Sequence, residues 1–338
     1  MKKSLLALAV LGAFAGTAAA QSSVTIYGLV DMSVAKRNDC APCAINPGAP
    51  GTTAWTMQHS SQSRLGFRGN EDLGGGLSAQ FQIEHRFNPD DGSLVNGNAF
   101  WQGRSYVQLT SAAAGSVYLG REYTPAFWVQ LKSDPFGNDG VGQTGVGINW
   151  AGYQTPSPTG NGARSSNTVG YKTPNLGGLT ANVAVSLAES NGQGRGLGFN
   201  AEYAAGPIYA GLGYEKITDG TFDGQGVVNV AFHYDLGFVK PMVYFAKSKT
   251  GTNGDVSNKV VLLSASAPLG NGVLKFGFSK VSYDAGYDAH KKVGLGYNYN
   301  LSKRTNLYFD LGSATGRAAT GVEGERSTAY AIGGRHTF

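Results

Sequence analysis

Apolar and polar residues alternate through nearly the whole chain, and this alternation restricts the fold more than any other feature of the sequence. In the first such segment, even positions carry Val24, Ile26 and Val30, while the odd positions include Thr25 and Asp31. A period of two is typical of a β-strand with one apolar and one polar face. The sequence therefore predicts an all-β fold.

Sixteen segments follow this pattern. They lie at about 24–34, 64–70, 77–86, 102–109, 116–123, 164–173, 179–187, 195–204, 207–216, 226–236, 238–249, 258–267, 273–282, 291–300, 305–314 and 326–338. Short turns rich in Gly and Pro, such as 72–76 and 174–178, alternate with longer polar loops. An even strand number with short turns on one side and long loops on the other is typical of outer-membrane barrels. We therefore expect a 16-stranded antiparallel transmembrane β-barrel with a water-filled interior; a soluble sandwich or propeller gives no reason for the alternating connections.

The composition agrees with a lipid-facing outer surface. Charged residues make up only 14% of the chain, whereas a soluble protein usually has about 25%. The formal net charge is +5, and removal of Lys2 and Lys3 lowers it to +3. Nucleic-acid binding usually requires a clustered basic stripe. We therefore expect no nucleic-acid partner.

The first twenty residues have the features of a secretory signal peptide. Lys2 and Lys3 precede the apolar run 5–14, and the small residues 18–20 precede Gln21. The run is too short to cross a bilayer as a helix, which needs about 20 residues. The sequence predicts cleavage after residue 20 and a single barrel domain over 21–338.

The two cysteines, Cys40 and Cys43, stand in the motif C-A-P-C after the first predicted strand. In an exported protein the default expectation is a disulfide. Free thiols, a redox motif or a metal site remain alternatives, although a redox motif would need a βαβ context and a metal site would need more ligands.

The alternation fails in one long segment, Thr124 to Ala163. A loop much longer than about 12–15 residues is usually functional or disordered. We expect this segment to fold into the barrel and narrow it.

Basic residues fall on the polar register of their strands and therefore face the interior. Placing an arginine on the lipid face near the membrane midplane costs about 2–4 kcal/mol. For each arginine, simple solvation or an ion pair to a wall carboxylate such as Glu84 is an alternative to a role in selectivity. The residues on this register are Arg64, Arg68, Arg104, Arg164, Lys172, Lys275 and Lys292.

Five stretches make the chain resemble a Gram-negative general porin of the β-proteobacterial type. They are VTIYGLVD (24–31), SRLGFRGNEDLGGGLSAQFQIE (63–84), YLGREYTPAF (118–127), RSSNTVGYKTPNLGGLT (164–180) and the terminal GGRHTF. The resemblance covers the whole mature chain. It implies a homotrimer of 16-stranded channels in the outer membrane, each with its third external loop folded inward.

The resemblance also implies a constriction between wall arginines and the inward loop. By motif position the wall residues are Arg64, Arg104 and Arg164, with Arg121 as a further candidate, and the register adds Arg68. The F-G-x-D part of the loop is matched from Phe136 to Asp139. Enterobacterial relatives carry additional loop carboxylates, whereas the acids of segment 124–163 are Asp134 and Asp139, beside Lys132.

The terminal Phe338 is, by the same resemblance, a signal for insertion into the outer membrane. An ordinary aromatic residue at the membrane interface is the alternative.

No catalytic or cofactor-binding pattern is evident. The five histidines are scattered and lack metal-binding spacing. We therefore expect a channel for passive diffusion of small anionic and neutral solutes, moderately anion-selective because arginine rings favour anions. A channel specific for phosphate or organic acids is the main alternative, and a barrel enzyme or adhesin is the third.

Overall fold

The computed structural model describes residues 23–38, 53–95, 99–145, 163–189, 194–250, 256–284, 290–315 and 326–338. The predicted signal peptide and the predicted Cys40–Cys43 disulfide lie outside these residues. So does the part of the long segment from 146 to 162. Among the described residues, no helix is long and apolar enough to cross a membrane.

Within those ranges, seventeen antiparallel strands form one sheet that closes on itself. In chain order they are β1 (Ser23–Asn38), β2 (Thr53–Gln58), β3 (Arg64–Gly74), β4 (Leu77–Arg86), β5 (Ser105–Ser111), β6 (Gly115–Tyr123), β7 (Arg164–Lys172), β8 (Leu179–Ser186), β9 (Arg195–Ala205), β10 (Ile208–Thr218), β11 (Gly226–Tyr234), β12 (Lys240–Thr250), β13 (Val256–Leu269), β14 (Gly272–Tyr283), β15 (His290–Asn300), β16 (Thr305–Thr315) and β17 (Arg326–Thr337). From β3 onward each strand pairs with the next in sequence, and β1 pairs with β17 to close the barrel.

Two of the strands share one position in the barrel. The half of β1 from Ser33 to Asn38 pairs with β2, and the half from Ser23 to Leu29 pairs with β3. The seventeen segments therefore make a 16-stranded barrel, as predicted. The sequence pattern did not identify β2 because this strand is short and is separated from β3 by the irregular residues 59–63.

The alternation of the sequence becomes an outward apolar face and an inward, mostly polar face. In β12, for example, Val243 and Phe245 are exposed on the outside, while Tyr244 and Ala246 are buried. Short turns join the strands at one end of the barrel. In the turn after β3, Gly74, Gly75 and Gly76 all have positive φ, a conformation that glycine adopts at little cost.

The long segment contains a helix, α1 (Pro125–Leu131), which contacts β9, β10 and β11. Proline at the first helical position is favourable because its missing N–H would have no intrahelical partner. Ala126 and Val129 of α1 belong to an apolar cluster with inward-facing residues of β10 to β14, including Ile217 and Tyr244. Part of the inner wall is therefore buried beneath the loop. This differs from the expectation of an interior filled with water throughout.

Candidate functional site

Three hydrogen bonds attach the start of α1 to the inner wall. The Asn200 side chain donates to the Pro125 carbonyl at 2.8 Å. The Ala126 N–H donates to the Glu215 carboxylate at 2.7 Å, and Asn229 donates to the Ala126 carbonyl at 2.9 Å. All three wall side chains are buried and face the interior. The described part of the segment therefore lies inside the barrel.

A second set of contacts holds the residues that follow the helix. The Ser264 hydroxyl donates to the Ser133 carbonyl at 2.6 Å, and the Ser133 hydroxyl lies 3.1 Å from His233 Nε2. Lys132, predicted as a loop residue of the constriction, forms an ion pair with Glu202 on the same wall. Its charge is thus held close to a carboxylate.

The two acids of the segment have different surroundings. Asp134 is buried and accepts hydrogen bonds from the backbone N–H groups of Phe136, Asn138, Thr144 and Gly145 at 2.9–3.1 Å. Its carboxylate shapes the turn.

Asp139 reaches the strand break between β2 and β3. Its Oδ2 accepts a 2.7 Å hydrogen bond from the backbone N–H of Gln62, and its Oδ1 lies 3.8 Å from His59 Nε2. Its side chain is 31% exposed, so of these two acids it is the one that faces the open interior.

Three arginines gather on the wall opposite the loop. Arg64, Arg86 and Arg164 line a cavity of about 380 Å³ with Tyr123. The loop contributes Phe127, Leu131, Gly137, Asn138 and Asp139 to the other side of this cavity. The structure therefore brings together two of the predicted wall arginines with one of the two predicted loop acids, Asp139.

Tyr123 organises this wall. Arg164 donates to its hydroxyl at 2.6 Å, and Arg86 donates to the same oxygen at 3.4 Å. The Arg164 guanidinium lies 4.3 Å from the centre of the Tyr123 ring, within cation–π range. The ring also stacks on Phe127 of α1, with centroids 5.1 Å apart. The arginine cluster and the loop helix thus share one aromatic side chain.

Arg104 precedes β5 and has a carboxylate partner of its own. Its guanidinium makes two hydrogen bonds with Glu122, at 2.7 and 2.5 Å. Lys172 lies 3.4 Å from the same carboxylate. Arg104 also lies over the rings of Tyr106 and Trp128, at 5.1 and 5.4 Å. It is not among the residues that line the 380 Å³ cavity.

The other two predicted wall arginines lie outside this cavity as well. Arg121 donates to the Gln102 carbonyl at 3.0 Å and to the Ser166 hydroxyl at 2.9 Å. Arg68 lies further along β3 than Arg64, toward the short-turn end, and its guanidinium is 5.3 Å from the centre of the Tyr27 ring.

Arg86 is a wall residue that the sequence prediction left out of the cluster. The alternation places it on the polar face of its strand, but only the pairing of β3 with β4 puts it directly opposite Arg64. It donates to Glu84 at 2.8 Å. The register of the β3–β4 hairpin, which has a tight glycine turn, was the signal that could have identified it.

Phe136 of the loop contacts Lys275, one of two predicted interior lysines on the wall behind it. Phe136 is buried, with the Lys275 ammonium 4.5 Å from its ring centre. Lys275 also pairs with Asp310 at 3.2 Å, and Lys292 is 3% exposed. Lys275 thus joins the loop to the wall carboxylate of Asp310.

The carboxyl-terminal residue continues the sheet by pairing with β1. The Phe338 N–H donates to the Gly28 carbonyl at 3.1 Å, and the Gly28 N–H donates to the Phe338 carbonyl at 3.0 Å. The Phe338 side chain is exposed on the barrel. The assembly role of Phe338 stays a prediction. Within the described ranges, no cluster of three or more His, Cys, Asp or Glu side chains could hold a metal ion.

Comparison with known proteins agrees with this architecture. The sequence profile of Gram-negative porins matches residues 7–336. The chain is 36% identical to outer membrane porin protein 32 of Delftia acidovorans and 31% identical to an outer membrane porin protein of Bordetella pertussis, each over the full length of both chains.

A solved structure, described as an anion-selective porin from Comamonas acidovorans, superposes with a TM-score of 0.80. It shares 32% identity, and the match covers 94% of this chain and all of the other. These matches confirm the resemblance noted in the sequence. The chain belongs to the Gram-negative porin family and is a β-barrel channel of the outer membrane, not an enzyme.

Proposed function

We propose that the channel passes small hydrophilic solutes by passive diffusion with a moderate preference for anions. The observation that carries this proposal is the meeting of Arg64, Arg86 and Arg164 at one cavity. Among the described residues that line that cavity, Asp139 is the one acid. Rings of Arg and Lys at a constriction favour anions, and rings of Asp and Glu favour cations.

Neighbouring carboxylates reduce this excess of positive charge without cancelling it. Glu84 lies beside Arg86, and Glu122 is shared between Arg104 and Lys172. The Asp139 carboxylate already accepts a hydrogen bond from the Gln62 backbone. The balance at the narrow part of the lumen is therefore positive but modest, which supports a moderate preference rather than a strict one.

The likeness to a porin described as anion-selective supports the same proposal, since identity with that protein is 32% over nearly the whole chain. The site residues we propose are Arg64, Arg86 and Arg164 on the wall and Asp139 on the loop. Arg104 and Lys172 add positive charge nearby, reduced by their shared carboxylate.

A planar bilayer with a tenfold KCl gradient tests the proposal. We expect the sign of the reversal potential to show that chloride is more permeant than potassium. The preference should weaken in concentrated salt, because the Debye length falls from about 10 Å at 0.1 M to about 3 Å at 1 M. A cation-selective reversal potential would contradict the proposal. Saturable block of the current by phosphate would indicate a ligand-specific anion channel instead.

We also propose that the chain assembles as a homotrimer, which its family membership supports. An outward apolar groove lined by Val24, Phe81, Val107, Leu109 and Val117 offers surface for lipid or for another copy. Native mass spectrometry of the folded protein in neutral detergent measures the assembly directly, and a monomer as the only species would contradict the proposal.

A further inference from the structure

Exposed lysines lie on the outside of the barrel, at the long-loop end of adjacent strands. Four of them occupy neighbouring positions and are called here the lysine patch: Lys247 on β12, Lys259 on β13, Lys280 on β14 and Lys291 on β15. Each is exposed, and the residues beside it in sequence, such as Ala246 and Val260, are buried inside. All four side chains therefore point away from the lumen.

The sheet register makes the patch continuous. Lys247 is the direct cross-strand partner of Lys259, and Lys280 is the direct partner of Lys291. Lys259 pairs with Ser282, two residues from Lys280, so these lysines are diagonal neighbours. Four strands at about 4.8 Å spacing give a patch roughly 14 Å wide.

The lysine patch destabilises the sheet electrostatically unless negative charges neutralise it. Like charges directly opposite one another on a sheet are destabilising, because their Cβ atoms are only about 4.5–5.5 Å apart. Within the described part of the chain, Lys259 pairs with Asp284 at 3.5 Å, and the other three patch lysines form no ion pair. The patch therefore keeps an excess of positive charge.

The position of the patch indicates the source of a counter-charge. The next outward residues toward the short-turn end are apolar and exposed, for example Phe245 beside Lys247 and Val293 beside Lys291. The lysines thus stand at the boundary between the apolar band and the external medium, where the headgroups of the external leaflet lie. Basic residues at this level attract anionic headgroups, each contributing about 1 kcal/mol.

We propose that the lysine patch binds the phosphate groups of a phosphorylated lipid in the external leaflet of the outer membrane. The ammonium groups of the two cross-strand pairs donate charge-assisted hydrogen bonds to the phosphates, and the acyl chains lie on the apolar outward residues below. This lipid would cover the outer surface of β12 to β15 and neutralise the patch.

The test measures lipid binding to the whole mature protein, folded in neutral detergent, by native mass spectrometry. The probes are bis-phosphorylated lipid A and the same lipid A after enzymatic dephosphorylation. The quadruple variant Lys247→Gln, Lys259→Gln, Lys280→Gln and Lys291→Gln should bind the phosphorylated lipid at least about tenfold more weakly. The unmodified protein should bind the dephosphorylated lipid just as weakly.

A matched pair of double variants controls for the loss of charge itself. Lys280→Gln with Lys291→Gln removes two patch cations, and Lys303→Gln with Arg304→Gln removes two exposed cations from the short turn at the opposite end. Only the first should weaken binding, by roughly threefold or more. A variant with all four patch lysines changed to arginine should still bind the phosphorylated lipid. If the quadruple glutamine variant does not fold, the two double variants and the arginine variant test the proposal.

Three results would overturn the proposal. The first is unchanged binding in the glutamine variants, and the second is equal binding of the dephosphorylated lipid. The third is full displacement of the lipid by inorganic phosphate at the same phosphate concentration, which would mean that the lysines bind soluble phosphate and not a lipid.

Discussion

The backbone N–H of Gln62 donates a 2.7 Å hydrogen bond to the carboxylate of Asp139, so the inward loop is joined to the break between β2 and β3. The loop thus spans the lumen, from the wall of β9 to β11, where α1 is attached, to the strand break. The cavity lined by Arg64, Arg86 and Arg164 lies beside this connection.

Removing the charge of Asp139 should increase anion preference without moving the loop. In Asp139→Asn, an amide oxygen can still accept the hydrogen bond from Gln62, while the negative charge is lost. We expect the ratio of chloride to potassium permeability to rise by up to about fivefold, since a unit charge about 4 Å away contributes about 1 kcal/mol in water. Reversal potentials measure this ratio, and Asp134→Asn is the contrasting variant because its buried side chain shapes the turn.

Replacing Arg86 should have the opposite effect. Arg86→Gln removes one of the three cavity arginines and leaves the Glu84 carboxylate without its 2.7 Å ion pair. Both changes favour cations, so the anion preference should fall by more than in the double variant Arg86→Gln with Glu84→Gln. The same reversal-potential measurement separates the two, and an unchanged ratio in the single variant would show that Arg86 does not contribute.

The carboxylate of Glu122 should matter more for stability than for permeation. Its side chain is fully buried and accepts hydrogen bonds from Arg104 and from the Tyr123 backbone. Removing one partner of a buried ion pair costs about 3–5 kcal/mol. We expect Glu122→Gln to lower the unfolding temperature of the barrel. This temperature is measured by heating samples to a series of temperatures and recording on a gel where the band of the folded barrel is lost. Glu71→Gln, at an exposed position, should leave it unchanged.

Weakening the attachment of α1 should make the current less steady. Glu215→Ala removes the acceptor of the Ala126 N–H, and a buried donor left without a partner costs about 1–3 kcal/mol. The helix should then leave the wall more often, giving larger fluctuations in single-channel current. Equal current noise in Glu215→Ala and Glu71→Ala would argue against this attachment.

The strands were predictable because the chemistry that selects them is local. Alternation of apolar and polar residues is enforced by lipid on one side and water on the other, so sixteen barrel positions could be read directly from the sequence. The break at 59–63 was not predictable in this way, because its irregular backbone is stabilised by residues distant in the sequence. Ser60, for example, donates hydrogen bonds to the carboxylates of Asp31 and Asp310.

The site was predictable only in part. Asp134 and Asp139 look alike in the sequence, yet one caps a turn and the other faces the cavity, and only the path of the loop distinguishes them. Arg104 was expected beside Arg64, but its partner Glu122 belongs to the neighbouring strand β6, next to a shift in register. Arg86 could be assigned to the arginine cluster only from the pairing of β3 with β4, and not from the pattern of a single strand.

The apolar cluster between α1 and the inner wall links the position of the loop to the stability of the barrel. Ala126 and Val129 are buried against Ile217, Val227 and Tyr244, so the helix that lies inside the barrel is part of a hydrophobic core. A substitution there that widens the opening also removes buried contact area and lowers stability. Substitutions in this cluster should therefore change permeability and thermal stability together.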